Sequence, residues 1–301
     1  MGWNNPPVRL AELERTLSGR SNRGGQAGAD QAGDGNDSPA WTCERYVRPR
    51  GIERMGPTDS PDGDSRVPYA ELHCHSNFSF LDGASHPEEL VETAAELELD
   101  AIAITDHDGM YGVVRFAEAA KELGVRTVFG TELSLGLPEP QNGVADPVGE
   151  HLLLLATDSD GYARLCRTIT SGQLAGYSER NDGMPAEQIP ATELACKGRP
   201  VYDIEAVAAD VAGRAVVLTG CRKGAVRRAL VEWGPEAAIG ELRRLVVLFG
   251  ADHLFVELID HGLPTDTVHN DLLAAMADEL GLPTVASTAA HYAWPSRGRL
   301  A

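Results

Sequence analysis

Two histidines, His73 and His75, stand two residues apart, and a strand's period of two would turn both imidazoles to one face. Cys74 between them then faces the other way. Further along come Asp82, His107 within Thr105-Asp106-His107-Asp108, then Glu132, His151, Cys221 and His291. Imidazole, carboxylate and thiolate are the donors that suit Zn²⁺, Mn²⁺ or Fe²⁺. A single HxH pair is ordinary in a strand, and an isolated histidine is more often a packed or surface group. What gives the set meaning is position, because almost every member stands at the carboxyl end of a different expected strand. Metal ions gathered there would lower the pKa of bound water and clamp a phosphate oxygen, the needs of phosphoester hydrolysis. Asp106 and Asp108 flank His107 and are expected to support ligands from behind. Arg222, Lys223, Arg227 and Arg228 form a basic cluster near the same rim, read as a solvated helix face with phosphate contact as the alternative. His86, before Pro87, suits a loop or helix cap, while His253, His261 and His269 suit a strand start, a loop and a helix surface.

The elements that must hold these side chains alternate along the chain. A strand over residues 69–73 leads to a helix from Pro87, where proline at the first position and Glu88 and Glu89 in the first turn favour the start. A strand at 101–105 leads to a helix at 111–123, closed by Gly124. Strands follow at 125–129 and, after a Pro- and Gly-rich excursion over 136–149, at 151–156. A helix at 161–170 gives way to an irregular stretch reaching Pro200. Then come a strand at 215–219, helices at 221–232 and 235–249, a strand at 254–258, a helix at 265–280 and a strand at 284–287. Such a succession predicts an α/β fold with a parallel sheet, closed as a TIM-like barrel so that no edge remains. In such a barrel the catalytic face lies at the carboxyl ends of the strands. Glu132 is expected just after the third strand and Cys221 at the end of the fifth, whereas His151 is the exception because it opens its strand.

Composition limits the remaining choices. The chain has 301 residues, 43% hydrophobic and 24% charged, as expected of an ordinary globular protein. Its formal net charge is −19, a field that would repel a duplex, so any nucleic acid must be held by other parts or by one local patch. Residues 1–67 read as an extension, with a short helix at 8–18 followed by a mostly disordered Gly-, Asp-, Asn- and Ser-rich run. That leaves residues 68–295 for the barrel. The start lacks a secretory signal, Pro6 argues against myristoylation, and no apolar run is long enough to cross a bilayer, which together predict a cytoplasmic protein. Cys43, Cys74, Cys166, Cys196 and Cys221 form no CxxC pair and are expected to stay reduced.

At the ligand-type residues the sequence resembles the polymerase-and-histidinol-phosphatase (PHP) domain that opens bacterial C-family DNA polymerases. The runs Glu71-Leu72-His73-Cys74-His75-Ser76-Asn77-Phe78-Ser79-Phe80-Leu81-Asp82-Gly83, Ala103-Ile104-Thr105-Asp106-His107 and Phe129-Gly130-Thr131-Glu132-Leu133 carry the resemblance, which continues through residues 151–156 and ends at 286–292. The opening Met1-Gly2-Trp3 and the stretch around Asp82-Gly83-Ala84-Ser85 look most like the error-prone, damage-tolerant branch. The resemblance implies a distorted seven-stranded β/α barrel with up to three metal ions, zinc or manganese, on His73, His75, Asp82, His107, Glu132, His151, Cys221 and His291. One position departs: the family motif before the last histidine reads Asp-x-His, and here it is Ala289-Ala290-His291. A methyl group ligates nothing, so weakened metal binding and little hydrolysis are expected, leaving a structural role. Polymerases of this kind continue into a Mg²⁺-dependent core that handles DNA and nucleotides and meets other replication or damage-response proteins. Residues 296–301 read as the start of a linker to that core, so this chain alone is not expected to polymerise DNA. The alternatives are a free-standing phosphoesterase of the histidinol-phosphatase kind and a non-catalytic structural module.

Overall fold

A computed structural model of the chain describes residues 67–141, 148–176 and 194–300; the short helix expected at 8–18 and all but the last residue of the extension expected over 1–67 lie outside them. Strand β1, Ala70–Glu71, is followed by helix α1, Pro87–Glu96, with His86 at its N-cap and the Glu89 carboxylate accepting from the His86 N–H at 2.9 Å. Strand β2, Ala101–Ile104, leads to helix α2, Val113–Leu123, which ends at Gly124 with φ 71°. That left-handed C-cap is where glycine is favoured. Strand β3 is Thr127–Leu135 and β4 is Glu150–Ala156. Helix α3, Ser159–Gln173, starts where the Asp158 carboxylate accepts from the Gly161 N–H at 2.8 Å. Helix α4, Ile204–Val211, capped in the same way by Asp203, falls where no helix was expected. Strand β5, Ala215–Leu218, helices α5, Ala225–Trp233, and α6, Pro235–Phe249, strand β6, Leu254–Ile259, helix α7, Asp266–Leu280, and strand β7, Thr284–Ser287, complete the order.

The strands pair in sequence order, β1 to β7. A parallel bridge between Cys74 and Ala290 joins the two ends, the His75 N–H donating to the Ala290 carbonyl and the Ala290 N–H to the His73 carbonyl, both at 2.8 Å. The sheet is therefore a nearly closed seven-stranded barrel, as expected, but it is not all parallel. β4 runs antiparallel to both β3 and β5, while the other pairs are parallel. This corrects the uniform β/α reading. Alternation cannot reveal direction, because a strand's period of two is the same read either way.

Outward-facing Leu133, Leu135, Leu152, Leu154 and Val217 pack beneath helices α3 to α7, and Ile102 and Ile104 pack with Leu90, Val91 and Phe116 of α1 and α2. Ala103, Leu153, Leu155 and Leu218 fill the inside of the barrel below the rim, with Val128, Phe255 and Val285 against them. The rim therefore stands on a closely packed apolar floor.

Candidate metal centre

His73 and His75 follow β1 and face inward, whereas Cys74 between them is fully buried outside among Leu90, Ile102 and Phe116, as the period of two requires. Asp82 arrives on the loop that follows. Its position depends on Asp106, which is buried and accepts from the Ser76 N–H, the Ser76 hydroxyl and the Ser79 hydroxyl, each at 2.7 Å. The Ala84 N–H donates to the His291 carbonyl at 2.8 Å, tying the loop to the last strand's exit. His107 follows β2 and bridges to Glu132. Glu132 lies inside β3, which extends to Leu135, rather than after it. His151 is the second residue of β4, and because that strand is reversed its start meets the same rim as the other strands' ends. In register Ser134 faces His151, so Glu132, two residues away, shares its side of the sheet. The exception in the sequence is thus an ordinary member of the cluster.

Glu132 is the hub. Its carboxylate lies 3.5 Å from His73 Nε2, 3.2 Å from His75 Nε2, 3.5 Å from His107 Nε2 and 3.2 Å from His151 Nδ1. Asp82 makes a short contact with His75 Nδ1 and stands 3.6 Å from His107 Nε2 and 3.1 Å from His291 Nδ1. Three groups bring their ligand atoms within 4.8 Å of one another: His73, His75 and Glu132; His75, Asp82 and His291; and His107, Glu132 and His151. The Cys221 sulfur lies 3.5 Å from His151 Nδ1 and 3.9 Å from a Glu132 oxygen, beside the third group but outside it. It follows β5 by three residues, in the turn before α5, rather than ending the strand. All eight expected residues converge.

Five imidazoles crowded on two carboxylates shape the electrostatics. Burial disfavours charge on His75, but Asp82 and Glu132 outweigh it and raise its pKa to about 9. His151 likewise rises against burial to about 10, chiefly through Glu132. For His73, Glu257 and Glu132 overcome burial and hold the ring well above its ordinary value. His107 goes the other way: burial, then the neighbouring His75, push it down to about 3. Glu132, despite burial, is held well below the usual carboxylate range by His73 and His151. Lone pairs that can hold protons can hold a cation instead. The buried His75 Nε2 and Glu132 Oε2 lie 3.2 Å apart, yet neither makes a hydrogen bond among the described residues. Such atoms are costly to bury unless something compensates them, so the donor set fits a divalent cation.

The flanking acids do not touch the imidazoles. Asp106 holds Ser76 and Ser79, and Asp108, with φ 50°, accepts from the Ser134 N–H at 2.9 Å. The carboxylates behind the cluster are instead Glu257, 3.0 Å from His73 Nδ1, and Glu71, which accepts from the N–H groups of His73 and Thr288 at 3.0 Å. Neither was anticipated, although a glutamate inside the apolar stretch Leu254–Ile259 is a legible signal. Ala289 is buried in the same cleft wall as His73, Asp266 and His291 and has φ 46°. Of the basic cluster, Arg227 is buried against Asp266 at 2.8 Å and Arg228 reaches Glu150 at 2.6 Å, while Arg222 and Lys223 line the cleft. His261 reaches the Thr288 carbonyl at 2.7 Å from its loop.

A nearly closed barrel with a rim cluster of histidines, carboxylates and a thiol is the pattern of the PHP domain. That family matches residues 71–261, and the chain belongs to it. Among curated relatives it is 50% identical, over its whole length, to the error-prone DNA polymerase of Cutibacterium acnes and 48% identical to that of Mycolicibacterium paratuberculosis. It covers 24% and 25% of those proteins, so the chain spans about a quarter of the length of the relatives it matches. Among solved structures, a candidate metal-dependent phosphoesterase from Bifidobacterium adolescentis aligns with 76% of this chain and 89% of its own, at 20% identity and a TM-score of 0.46. Among the described residues no helix is long and apolar enough to cross a membrane.

Proposed function

We propose that this chain is the PHP domain of an error-prone DNA polymerase, occupying residues 68–295, and that its rim holds divalent cations. The observation that carries the reading is identity near one half, across the full chain, to polymerases of that name. Template-directed synthesis, the Mg²⁺ it needs, and contact with DNA, nucleotides and other replication or repair proteins then belong to the remainder of such a polymerase, in the cytoplasm. Here, His73, His75, Asp82, His107, Glu132, His151, Cys221 and His291 are the proposed ligands, for zinc or manganese given their nitrogen, oxygen and sulfur donors. A bound cation would supply charge for a phosphate oxygen and a lowered pKa for a bound water. The chain's own part is to fix six elements' worth of donors on a packed floor and to exclude bulk water from Glu132.

Ala289 limits the hydrolytic part. Each ligand group has three donors, and Ala289, buried in the wall of the same cleft, offers none. The purified chain is expected to hold fewer than the family's three ions and to show little hydrolysis of single-stranded DNA 3′ ends or phosphomonoesters, read by elemental analysis and product release. Robust manganese-dependent cleavage, abolished by His107→Ala, would favour the second reading, a metal-dependent phosphoesterase, for which the three groups of ligand atoms at the rim speak.

A further inference from the structure

Glu257 is buried in the middle of β6, whose other residues, Leu254, Phe255, Val256, Leu258 and Ile259, are all apolar. A carboxylate there costs several kcal/mol in desolvation unless it has partners. One oxygen has them: Oε1 lies 3.0 Å from His73 Nδ1 and accepts a short hydrogen bond from the Ser287 hydroxyl on β7, whereas Oε2 makes no hydrogen bond among the described residues. The backbone beneath is fixed by the Glu257 N–H, which donates to Thr219 Oγ1 at 2.9 Å. The other ring nitrogen, His73 Nε2, faces Glu132 Oε1 at 3.5 Å and shares the first ligand group with His75. The imidazole is thus held between a carboxylate behind and the cluster in front.

We propose that Glu257 is the positioning residue of this metal centre: it accepts the His73 Nδ1 proton and so leaves Nε2 as the bare donor aimed at the cation. A neutral imidazole has one N–H and one lone pair, and the hydrogen bond made by one nitrogen decides which role the other takes. A carboxylate behind the ring also makes the front nitrogen a stronger ligand. His73 is one of only three donors in its ligand group, so the effect falls directly on that group. Asp106 and Asp108 cannot serve, because they bond to Ser76, Ser79 and Ser134 and to no ring. The inference rests on the metal reading above.

The test is nitrogen NMR on the zinc-loaded chain together with zinc affinity by chelator competition. His73 is expected to carry its proton on Nδ1. A proton on Nε2 overturns the proposal with no variant needed. Glu257→Ala is expected to weaken zinc binding by about 10- to 100-fold and to erase the Nδ1–H signal. Glu257→Gln, which keeps an acceptor oxygen without the charge, is expected to lose less affinity and keep the tautomer. If the alanine variant does not fold, the glutamine variant decides, since unchanged affinity there overturns the charge-based role. Failure of the wild-type chain to bind zinc overturns both readings, whereas binding indifferent to position 257 overturns this one alone.

Discussion

Ala289 is the residue on which the chemistry turns. Its φ of 46° lies in the left-handed region, where an ordinary side chain is strained but aspartate is several-fold enriched. Ala289→Asp therefore fits the backbone as it stands and sets a carboxylate in the wall of the cleft that His73 and His291 also line. The variant is expected to bind one more ion per chain than the parent, counted by elemental analysis after gel filtration. An unchanged count would mean that position 289 does not limit the site. Residue types and spacing made the eight converging residues and this departure legible. They did not reveal which acids stand behind the ligands, because adjacency in sequence pointed to Asp106 and Asp108. Glu257 reaches His73 from 184 positions away, through barrel closure.

At the level of elements, all seven strands and most helices overlap the spans that apolar periodicity and caps give them, with β7 exact and β3 running six residues further than expected. Direction was the missing quantity. The sequence before β4 is rich in proline and glycine, and a candidate ligand stands near the start of the strand rather than its end; both fit an antiparallel return better than a β/α unit. Helix α4 escaped because its eight residues give too short a period to stand out. The loop carrying Asp82 depends on a different kind of constraint. A Cβ added to Gly83 would lie 1.9 Å from the Ser76 carbonyl oxygen, a backbone atom pinned by the Asp106 bonds. Gly83→Ala is expected to cost about 1–3 kcal/mol in denaturant unfolding. It should also weaken cation binding at His75, Asp82 and His291 more than at His107, Glu132 and His151. Equal weakening of both groups would show that the loop does not position Asp82 separately.

For the whole molecule the acidic count takes on a local meaning. A chain of net charge −19 gathers five imidazoles at one rim, so cations and protons compete for the same donors there. His75 and His151, raised to about 9 and about 10, stabilise the metal-free fold fully below their unfolded pKa near 6.5 and lose that contribution as pH rises through the folded values. A cation needs the same rings deprotonated, so its binding releases protons and strengthens with pH. The two effects run in opposite directions. The gap in thermal midpoint between the zinc-loaded and the chelator-stripped chain is therefore expected to widen from pH 6 to 8.5. With free zinc at about 100 times its dissociation constant, the linkage is worth about 2.7 kcal/mol. For a domain of this size that is roughly 5–10 °C by calorimetry. A gap that stays constant or narrows with rising pH would mean that the imidazoles are not the groups the cation displaces protons from. The barrel's rim would then be a proton-bridged network, with the histidines bound to Asp82 and Glu132 for stability alone.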